Sequence, residues 1–301
     1  MILITGAGGA MGSVFIRKLR EKGARVRACV LPSDPGLERM KSLCDDVWPA
    51  DIGDRQALEG MCRGITTVYH LAAIIISKDE GIFQRVNVDG TQNIIDEAKR
   101  SGVRHFVYIS SASVLYPAPT PYSLSKKKAE AIVSASGIPF TIIRPTLVYG
   151  KTGGQEFDMY LAYLKKFPVV PFIGSGESLK RPVWVDDIID GLVAVEGREK
   201  CFGKIYNFSG GEAISMLDFS ALCLKLLGIA RKPIIKLPVP LCLALARVLR
   251  CVIKDPPLKW QVIAGITQDA NLDPTEAARD LGYTPAAVSR KLPECFPRVK
   301  D

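Results

Sequence analysis

Short apolar runs alternate with longer amphipathic stretches over the first half of the chain. Six of the apolar runs have the length and the Val and Ile content of buried strands: MILIT (1–5), RVRACV (25–30), DVWPA (46–50), TVYHLA (67–72), HFVYIS (105–110) and FTIIRP (140–145). Helix-period stretches between them cover residues 10–22, 35–43, 54–62, 84–101 and 121–136. This alternation predicts an α/β fold with a doubly wound parallel sheet and helices on both faces.

The pattern loosens after residue 150, where glycine-rich loops separate shorter elements. We therefore expect a main domain over residues 1–150 and a smaller, mostly C-terminal domain over 151–301, with KIYNFSG (204–210) returning one strand to the main sheet. The longest apolar stretch, residues 237–253, is interrupted by Arg247 and Arg250. It predicts an amphipathic helix that packs on its own domain and does not span a membrane.

The net charge of the chain and the distribution of its basic residues indicate which classes of binding partner to expect. The 301 residues include 40 Lys and Arg against 31 Asp and Glu, a formal net charge of +9. The basic residues look scattered, and KKK (126–128) is their one run, so we interpret them as a solvated basic surface. We expect no nucleic-acid partner and no membrane span, while peripheral association with a membrane stays open.

Cysteine and histidine usage gives no metal site. Eight cysteines lie mostly in apolar runs without any C-x-x-C pair, and there are two histidines. We expect reduced, buried thiols and no metal. The chain begins with a strand, MILITG, without a basic segment or cleavage site, so the expectation is a cytoplasmic protein without a secretory signal.

A glycine-rich loop, TGAGGAMG (5–12), follows the first strand and opens the first helix. Glycine allows a tight turn and lets the backbone approach a pyrophosphate, and the helix N-terminus offers N–H groups and a positive dipole. The strand–loop–helix context predicts that the main domain is a Rossmann-type dinucleotide-binding domain. Its predicted cofactor contacts in this loop are Gly6, Gly9, Ala10, Met11 and Gly12.

The ends of the second and third strands bear on the choice of cofactor. Val30 and Leu31 stand where an acid would bind the adenosine ribose of NAD, and Asp34 looks too far into the loop to repel a 2′-phosphate. Ser33 can donate to such a phosphate, so the sequence favours NADP over NAD. Asp51 and Ile52 follow the third strand and are expected to cover the adenine, and Asp51 can equally be a helix N-cap.

The stretch SSASVLYPAPTPYSLSKKKAE (110–130) holds a serine pair, Tyr122 and Lys126. Tyr and Lys four residues apart share one helix face. Residues of this type can form an acid/base pair, but the same spacing occurs in ordinary amphipathic helices.

Ordered motifs along the whole chain carry a family resemblance that favours catalytic roles for these residues. Besides the glycine loop and the serine segment, they are DI (51–52), HLAA (70–73), NVDGTQNIIDEA (87–98), PYSLSK (121–126), RPTLVYG (144–150), WVDDIIDGL (184–192) and TEAARDLGYTP (275–285). With them the chain resembles the extended short-chain dehydrogenase/reductase superfamily, in its NAD-dependent epimerase/dehydratase branch. FPVVPFIGSGES (167–178) is similar to an atypical subgroup related to an accessory subunit of respiratory complex I.

The resemblance implies roles for named residues. Ser111 would hold the substrate oxygen, Tyr122 would be the acid/base, and Lys126 would lower the pKa of Tyr122 and reach the nicotinamide ribose. Further implied positions are cofactor contacts at Leu71, Ala72, Ala73 and Pro145 and a substrate-side position at Asn87, which can also be a simple N-cap. The implied partner is a small-molecule substrate, with a homodimer as the candidate assembly.

The sequence departs from the family pattern at positions that bind the substrate in nucleotide-sugar members of the family. Leu147 replaces an Asn of the nucleotide-sugar members, the diphosphate-binding arginine is shifted to Lys180 and Arg181, and Trp184 replaces a His or Tyr. These changes predict a more apolar substrate site. We expect an NAD(P)-dependent oxidoreductase of the epimerase/dehydratase type, which transfers hydride between nicotinamide and a hydroxyl or carbonyl carbon of a sugar-like or hydrophobic substrate. The alternatives are a reductase of a sterol- or flavonoid-like carbonyl and a non-catalytic scaffold that holds the dinucleotide.

Overall fold

The computed structural model describes residues 1–151, 154–252 and 260–296. The strands of this part of the chain are β1 (Ile2–Thr5), β2 (Val26–Val30), β3 (Asp46–Pro49), β4 (Thr67–His70), β5 (His105–Ile109), β6 (Phe140–Pro145), β7 (Val148–Tyr149), β8 (Val170–Ile173), β9 (Leu179–Lys180), β10 (Val183–Trp184), β11 (Lys204–Phe208), β12 (Ile214–Ser215) and β13 (Ile234–Leu237). The α-helices are α1 (Ala10–Glu21), α2 (Leu37–Leu43), α3 (Gly90–Arg100), α4 (Pro121–Ser134), α5 (Gln155–Lys166), α6 (Val185–Val195), α7 (Met216–Leu226), α8 (Val239–Val252), α9 (Trp260–Thr267), α10 (Thr275–Leu281) and α11 (Val288–Lys291). Short 3-10 helices cover Gln56–Leu58, Ala112–Leu115, Glu199–Cys201 and Leu292–Cys295, and Phe83–Asp89 is π-helical.

The central sheet has seven strands in the order β11–β6–β5–β4–β1–β2–β3, and every pair is parallel. β1 lies between β2 and β4, so Ile2 is in register with both Val26 and Thr67. The sheet grows in one direction from β1 to β3 and in the other from β4 onward. The loops after β1 and β4 therefore open a crevice at the carboxyl ends of the strands, where such sheets bind ligands. The predicted α/β, doubly wound, Rossmann-type fold class is confirmed.

Apolar side chains cover both faces of this sheet, which explains why its strands read as continuous apolar runs. One face packs against Phe15 of α1 and Leu192 of α6. The other packs against Ile94 of α3 and Val133 of α4. Because both faces are closed, the strand ends that carry the site are held on a rigid base.

A further core lies outside the central sheet. Its buried members include Tyr149, Phe157, Trp184 and Phe219. Three two-stranded sheets, β10–β7, β12–β9 and β13–β8, belong to this C-terminal layer. The layer is tied to the end of β6, because the Thr146 hydroxyl donates to the carbonyl of Arg181.

Two predicted helices differ from the structure. Residues 54–62 form only one 3-10 turn, Gln56–Leu58, because the Asp54 carboxylate accepts from the N–H groups of Gln56 and Ala57 and holds a tight turn. The helix predicted at 84–101 begins as the π-helical segment Phe83–Asp89 and becomes α-helical only at Gly90. π-Helical turns are frequent at functional sites.

Helix α8 accounts for most of the apolar stretch 237–253, whose last residue lies outside the described residues. Cys242 and Ala246 of α8 are buried against Ile173 and Ile263, so one face packs on its own layer as predicted. Within the described ranges, no helix has both the length and the apolarity needed to cross a bilayer.

Candidate active site

The glycine loop after β1 is shaped by close backbone contacts. Gly6 has φ +68°, and a Cβ there would lie 2.7 Å from the backbone nitrogen of Ala72. A Cβ on Gly12 would lie 2.6 Å from the carbonyl oxygens of Gly6 and Ala7, so the fold itself requires glycine there. Gly9 differs, because a Cβ there would approach only the oxygen of Gly6, at 3.2 Å. The space above Gly9 is thus open toward the crevice, as a bound pyrophosphate requires.

The N-terminus of α1 points its first N–H groups at this loop. Gly9 is the N-cap and provides no side-chain cap, and the first turn, Ala10 to Gly12, has no acidic residue. The first helical N–H groups lack helical acceptors and carry the positive end of the helix dipole. Ala10, Met11 and Gly12 therefore offer donors to an anionic group, which fits the pyrophosphate of a dinucleotide.

Asp34 lies closer to this loop than the sequence suggested. A side chain at Gly8 would collide with the Asp34 carboxylate, and that carboxylate also accepts a 2.7 Å hydrogen bond from the N–H of Gly36. The expectation that Asp34 is too far into the loop is therefore wrong. A carboxylate in this loop is able to accept hydrogen bonds from ribose hydroxyls and would repel a 2′-phosphate. Ser33, predicted to meet that phosphate, is exposed in the turn.

The remaining predicted cofactor positions lie at the ends of β3, β4 and β6. Asp51 is exposed, and its Oδ1 accepts from the N–H of Gly53 at 2.8 Å, so it closes a turn and caps no α-helix. Ile52 is buried against Gly90. Leu71, Ala72 and Ala73 follow β4 directly, and Pro145 is buried at the end of β6. All of them are at the carboxyl edge of the sheet, where the glycine loop also lies.

Helix α4 presents Tyr122 and Lys126 one turn apart. The helix begins at Pro121 because Thr120 caps it: the Thr120 hydroxyl accepts from the N–H of Ser123, and the Ser123 hydroxyl accepts from the N–H of Thr120. Tyr122 packs against Phe83 of the π-helical segment, with ring centroids 6.3 Å apart. The cap thus fixes where the helix starts and, with it, the position of the Tyr122 phenol.

Lys126 is buried beneath the site. Its Nζ donates to the carbonyl oxygen of Ile109 at 2.5 Å and lies 4.2 Å from the centroid of the Tyr108 ring. Burial lowers the pKa of Lys126 from 10.5 to about 7, opposed by the Glu130 carboxylate, which raises it. Glu130 is in turn held by Arg144 through bonds of 2.8 and 2.6 Å. The lysine thus changes its charge near neutral pH, as groups in active sites often do.

The pKa of Tyr122 is raised, whereas the family resemblance implied that Lys126 would lower it. Burial raises its pKa above the usual 10, the Glu156 carboxylate raises it further, and a hydrogen bond with Ser111 lowers it. Tyr122 is therefore protonated at neutral pH and is prepared to donate a proton. Ser111 follows β5 and caps the 3-10 helix Ala112–Leu115, with its Oγ 2.9 Å from that of Ser113. The neighbouring Ser110 hydroxyl is buried and has no hydrogen-bond partner in the described protein, which fits a bound polar ligand.

Asn87 and His70 position the loops around the site. The Asn87 side chain binds both backbone groups of Ile74, at 2.8 and 2.9 Å, and donates to the Ser125 hydroxyl at 2.9 Å. It therefore joins the loop after β4 to α4 and does not act as an N-cap. His70 is buried between the hydroxyls of Thr5 and Thr91. Burial lowers the pKa of His70 to about 3, and the nearby charge of Lys126 contributes to this decrease. A neutral histidine in this position has no acid/base function at neutral pH.

The predicted diphosphate-binding cations are engaged by the protein. Lys180 is 5% exposed and donates to the carbonyl oxygens of Gly265 and Gln268. Arg181 donates to Asn271 at 2.6 Å and to the oxygen of Gly210 at 3.2 Å. Oxygen atoms of the protein thus occupy donors that a nucleotide diphosphate would need.

The two apolar replacements differ in position. Leu147 is half-buried after β6 and packs on the C-terminal core. Trp184 is only 4% exposed, stacks edge-on against Tyr149 and donates to Asp186. The sequence interpretation that Trp184 makes the substrate site apolar is therefore wrong, because this side chain is part of the core.

Three residues near the site had no clear signal in the sequence. Asp34 comes into place through the loop after β2. Tyr116 lies between the serine segment and α4, with the ammonium of Lys180 5.9 Å from its ring centroid. Glu156 lies in the first turn of α5. Burial is the main cause of the raised pKa of Tyr116 and of Tyr122, and the charge of Glu156 raises both pKa values further.

Together, the sheet, the glycine loop at its switch point and the neighbouring Ser111, Tyr122 and Lys126 define a Rossmann-fold protein of the extended short-chain dehydrogenase/reductase class. The chain belongs to the NAD dependent epimerase/dehydratase family, whose model matches residues 2–208. This confirms the resemblance seen in the sequence. The described residues contain no group of three His, Cys, Asp or Glu side chains that could hold a metal ion.

Relatives agree with this membership, and solved structures share the fold. A ceramide reductase of Caulobacter vibrioides is 30% identical over 64% of this chain, and the match spans 60% of that protein's length. A 3 beta-hydroxysteroid dehydrogenase/Delta 5-->4-isomerase of Mycobacterium tuberculosis is 27% identical over 98% of this chain and 89% of its own length. The crystal structure of the dTDP-glucose 4,6-dehydratase DesIV from Streptomyces venezuelae, with NAD and TYD bound, has a TM-score of 0.75 at 22% identity and covers 98% of this chain and 95% of that one. At that identity the structural likeness shows the fold alone.

Proposed function

We propose that this protein is an NAD-dependent oxidoreductase that reduces the carbonyl group of a hydrophobic small molecule, with Ser111, Tyr122 and Lys126 as its catalytic residues. The observation that carries the proposal is the placement of Tyr122 one helical turn from the buried Lys126 on α4, with the Lys126 Nζ held by the carbonyl of Ile109. Bound NADH supplies the hydride.

The proton is the protein's contribution to the reaction. In the proposed step the Ser111 hydroxyl and the Tyr122 phenol both donate to the substrate oxygen, and Tyr122 gives up its proton as the carbonyl carbon is reduced. With its pKa above 10, Tyr122 carries its proton at neutral pH and is the proton donor of the proposed step. The Lys126 ammonium stabilises the phenolate left behind. Its pKa of about 7 lets it take up or release a proton in the same pH range.

Two observations support NAD and the hydrophobic substrate. The Asp34 carboxylate beside Gly8 suits ribose hydroxyls better than a 2′-phosphate. Lys180 and Arg181 are bound to protein oxygens, so a nucleotide diphosphate would have to displace those bonds. Two relatives, a ceramide reductase and a hydroxysteroid dehydrogenase by name, suggest the same substrate class. The predicted cytoplasmic location, the homodimer and the division into domains 1–150 and 151–301 stay predictions.

A substrate panel tests this proposal. Purified protein with NADH or NADPH would be offered steroid ketones, long-chain ketones, UDP-glucose and dTDP-glucose, and nucleotide oxidation would be followed by absorbance. We expect turnover of a hydrophobic ketone, with NADH preferred. Conversion of a sugar nucleotide alone would overturn the substrate class. Tight dinucleotide binding without turnover of any panel compound would favour the scaffold alternative.

A further inference from the structure

Helix α8 has a second apolar face that the described protein leaves uncovered. Leu241, Leu245 and Val248 are spaced four and three residues apart and so form one stripe along the helix. They are 58%, 47% and 61% exposed. Just before the helix, Ile235 of β13 is also exposed. We call these four residues the apolar stripe. Single exposed apolar side chains are common, but an aligned set on one short segment marks an interaction surface.

Basic residues surround this stripe in the sequence. Residues 225–259 contain eight Lys and Arg residues and one acidic residue, Asp255, so they hold seven of the chain's nine excess positive charges. The earlier interpretation that the basic residues are scattered is therefore incomplete. Arg231 and Lys236, on either side of the start of β13, are exposed. An apolar stripe beside concentrated positive charge is typical of segments that lie on anionic membranes.

The stripe is connected to the proposed active site. Its helix packs on α9 through Cys242 and Ile263. Just beyond α9, the Gln268 side chain bonds both backbone groups of Ala118, at 2.6 and 3.1 Å, in the loop between Ser111 and Tyr122. Helix α8 is thus linked, through α9, to the segment that borders the proposed substrate site.

We propose that α8 and β13 dock this protein onto an anionic phospholipid membrane, with the apolar stripe inserted among the lipids and the neighbouring Lys and Arg residues on the headgroups. A helix of 14 residues is about 21 Å long. It is too short to cross a hydrocarbon core of about 30 Å, so α8 lies in the plane of the interface. A lipid-soluble substrate would then reach the site from the membrane. That last link rests on the proposed function, whereas the docking itself does not.

Vesicle sedimentation tests the docking directly. Wild-type protein would be mixed with phosphatidylcholine vesicles that contain phosphatidylglycerol and with vesicles of phosphatidylcholine alone. We expect binding to the anionic vesicles that weakens as salt is added. The double variant Leu241→Gln/Leu245→Gln should bind about 100-fold more weakly, because two large apolar side chains no longer enter the lipid. Ile205→Gln, which changes an exposed apolar residue of β11 outside the stripe, should bind like wild type.

Two further measurements keep the result unambiguous. If the double variant does not fold, Arg231→Gln and Lys236→Gln each remove one exposed charge and should weaken binding several-fold. Sedimentation velocity would reveal whether the stripe is covered by a second copy of the chain. Equal binding of wild type and variants, no binding to anionic vesicles, or a dimer that the double variant breaks would each overturn the proposal. Tyr122→Phe should bind vesicles normally, so a failure of the catalytic proposal would be seen separately.

Discussion

The cofactor edge and the substrate side of the site are built in different ways. The cofactor edge consists of the loops at the carboxyl ends of β1 to β4, including Gly6 to Gly12, Asp34 and Leu71 to Ala73. It is formed mainly by backbone atoms, which are supported by a sheet covered on both faces. Its shape depends on the positions of the glycine residues. The proposed substrate side includes Tyr116, Glu156, Lys180 and Gln268. It depends on side chains from distant segments that meet only in the folded chain, for example Ala118 and Gln268.

This difference teaches where specificity can change. A backbone site of glycine and helix N–H groups tolerates few substitutions, because any added atom meets the chain or the cofactor. A side-chain site can exchange its polar groups without disturbing the sheet. In this chain, for example, Lys180 donates structural hydrogen bonds to the carbonyl oxygens of Gly265 and Gln268. This use of Lys180 leaves the cofactor edge unchanged.

The largest expected effect concerns the backbone of the cofactor edge. Gly9→Val should reduce NAD affinity by on the order of 100-fold or more, because the new side chain would occupy the space that the pyrophosphate needs. The thermal midpoint should fall less than in Gly12→Ala, because the Gly6 oxygen, at 3.2 Å, is the one protein atom near the added Cβ. Calorimetric titration and thermal unfolding measure the two quantities.

Gly12→Ala is the matched control for Gly9→Val. Its Cβ would collide with the oxygens of Gly6 and Ala7, so it should lower the thermal midpoint itself. If both variants bound NAD like wild type, the pyrophosphate would not lie on this loop.

The next prediction concerns the lowered pKa of the buried Lys126. The folded pKa of Lys126 is about 7 and its ordinary value is 10.5, so the unfolded chain binds more protons between these values and stability rises with pH across this window. From pH 7 to pH 9, wild type should gain on the order of 1–2 kcal/mol in unfolding free energy relative to Lys126→Met. Urea unfolding at both pH values gives the difference. The control is Lys127→Met, an exposed neighbour, which should follow wild type, and parallel curves for Lys126→Met would refute the shifted pKa.

Asp34 tests how the cofactor edge selects its ligand. Asp34→Asn removes the charge that repels a 2′-phosphate and should shift the ratio of NADH to NADPH affinity by about tenfold toward NADPH. Fluorescence titration with both nucleotides measures the ratio. Asp54→Asn, in the loop after β3, should leave the ratio unchanged. A wild type that already prefers NADPH would contradict the role given to Asp34.

The smallest effect lies on the substrate side. Glu156 raises the pKa of Tyr122, so Glu156→Gln should lower that pKa and speed the oxidative direction several-fold at a given pH, with its pH profile moved to lower pH. The comparison is with Asp158→Asn on the same helix, which should not move the profile. Identical profiles for all three proteins would remove Glu156 from the site.

The sequence predicted the sheet and the glycine loop between β1 and α1 well, because both depend on local patterns. The predicted strand at 25–30, for example, is observed at Val26–Val30. The predicted helix at 54–62 failed because its buried residues, Leu58, Met61 and Cys62, mimic a helical period while Asp54 and Gly60, at φ +83°, favour turns. Local pattern cannot distinguish these alternatives.

The substrate side could not be predicted in the same way. Gln268 contacts Ala118 across 150 positions of sequence, and Glu156 reaches the phenols only through the placement of α5. Asp34 was misjudged because the path of a short loop, not its length in residues, decides what its side chain meets. Positions that depend on such paths carry no periodicity or motif.

The central claim is that Tyr122 supplies the proton. Tyr122→Phe keeps the ring that packs against Phe83 and removes one oxygen, so NAD affinity and thermal midpoint should stay unchanged. Single-turnover reduction of the panel's best ketone should slow by roughly 10²- to 10⁴-fold, the usual contribution of a general acid. Tyr163→Phe, which loses a hydroxyl bonded to the Pro171 carbonyl in the C-terminal layer, should react like wild type. Equal single-turnover rates for wild type and Tyr122→Phe would contradict the assignment of the active site.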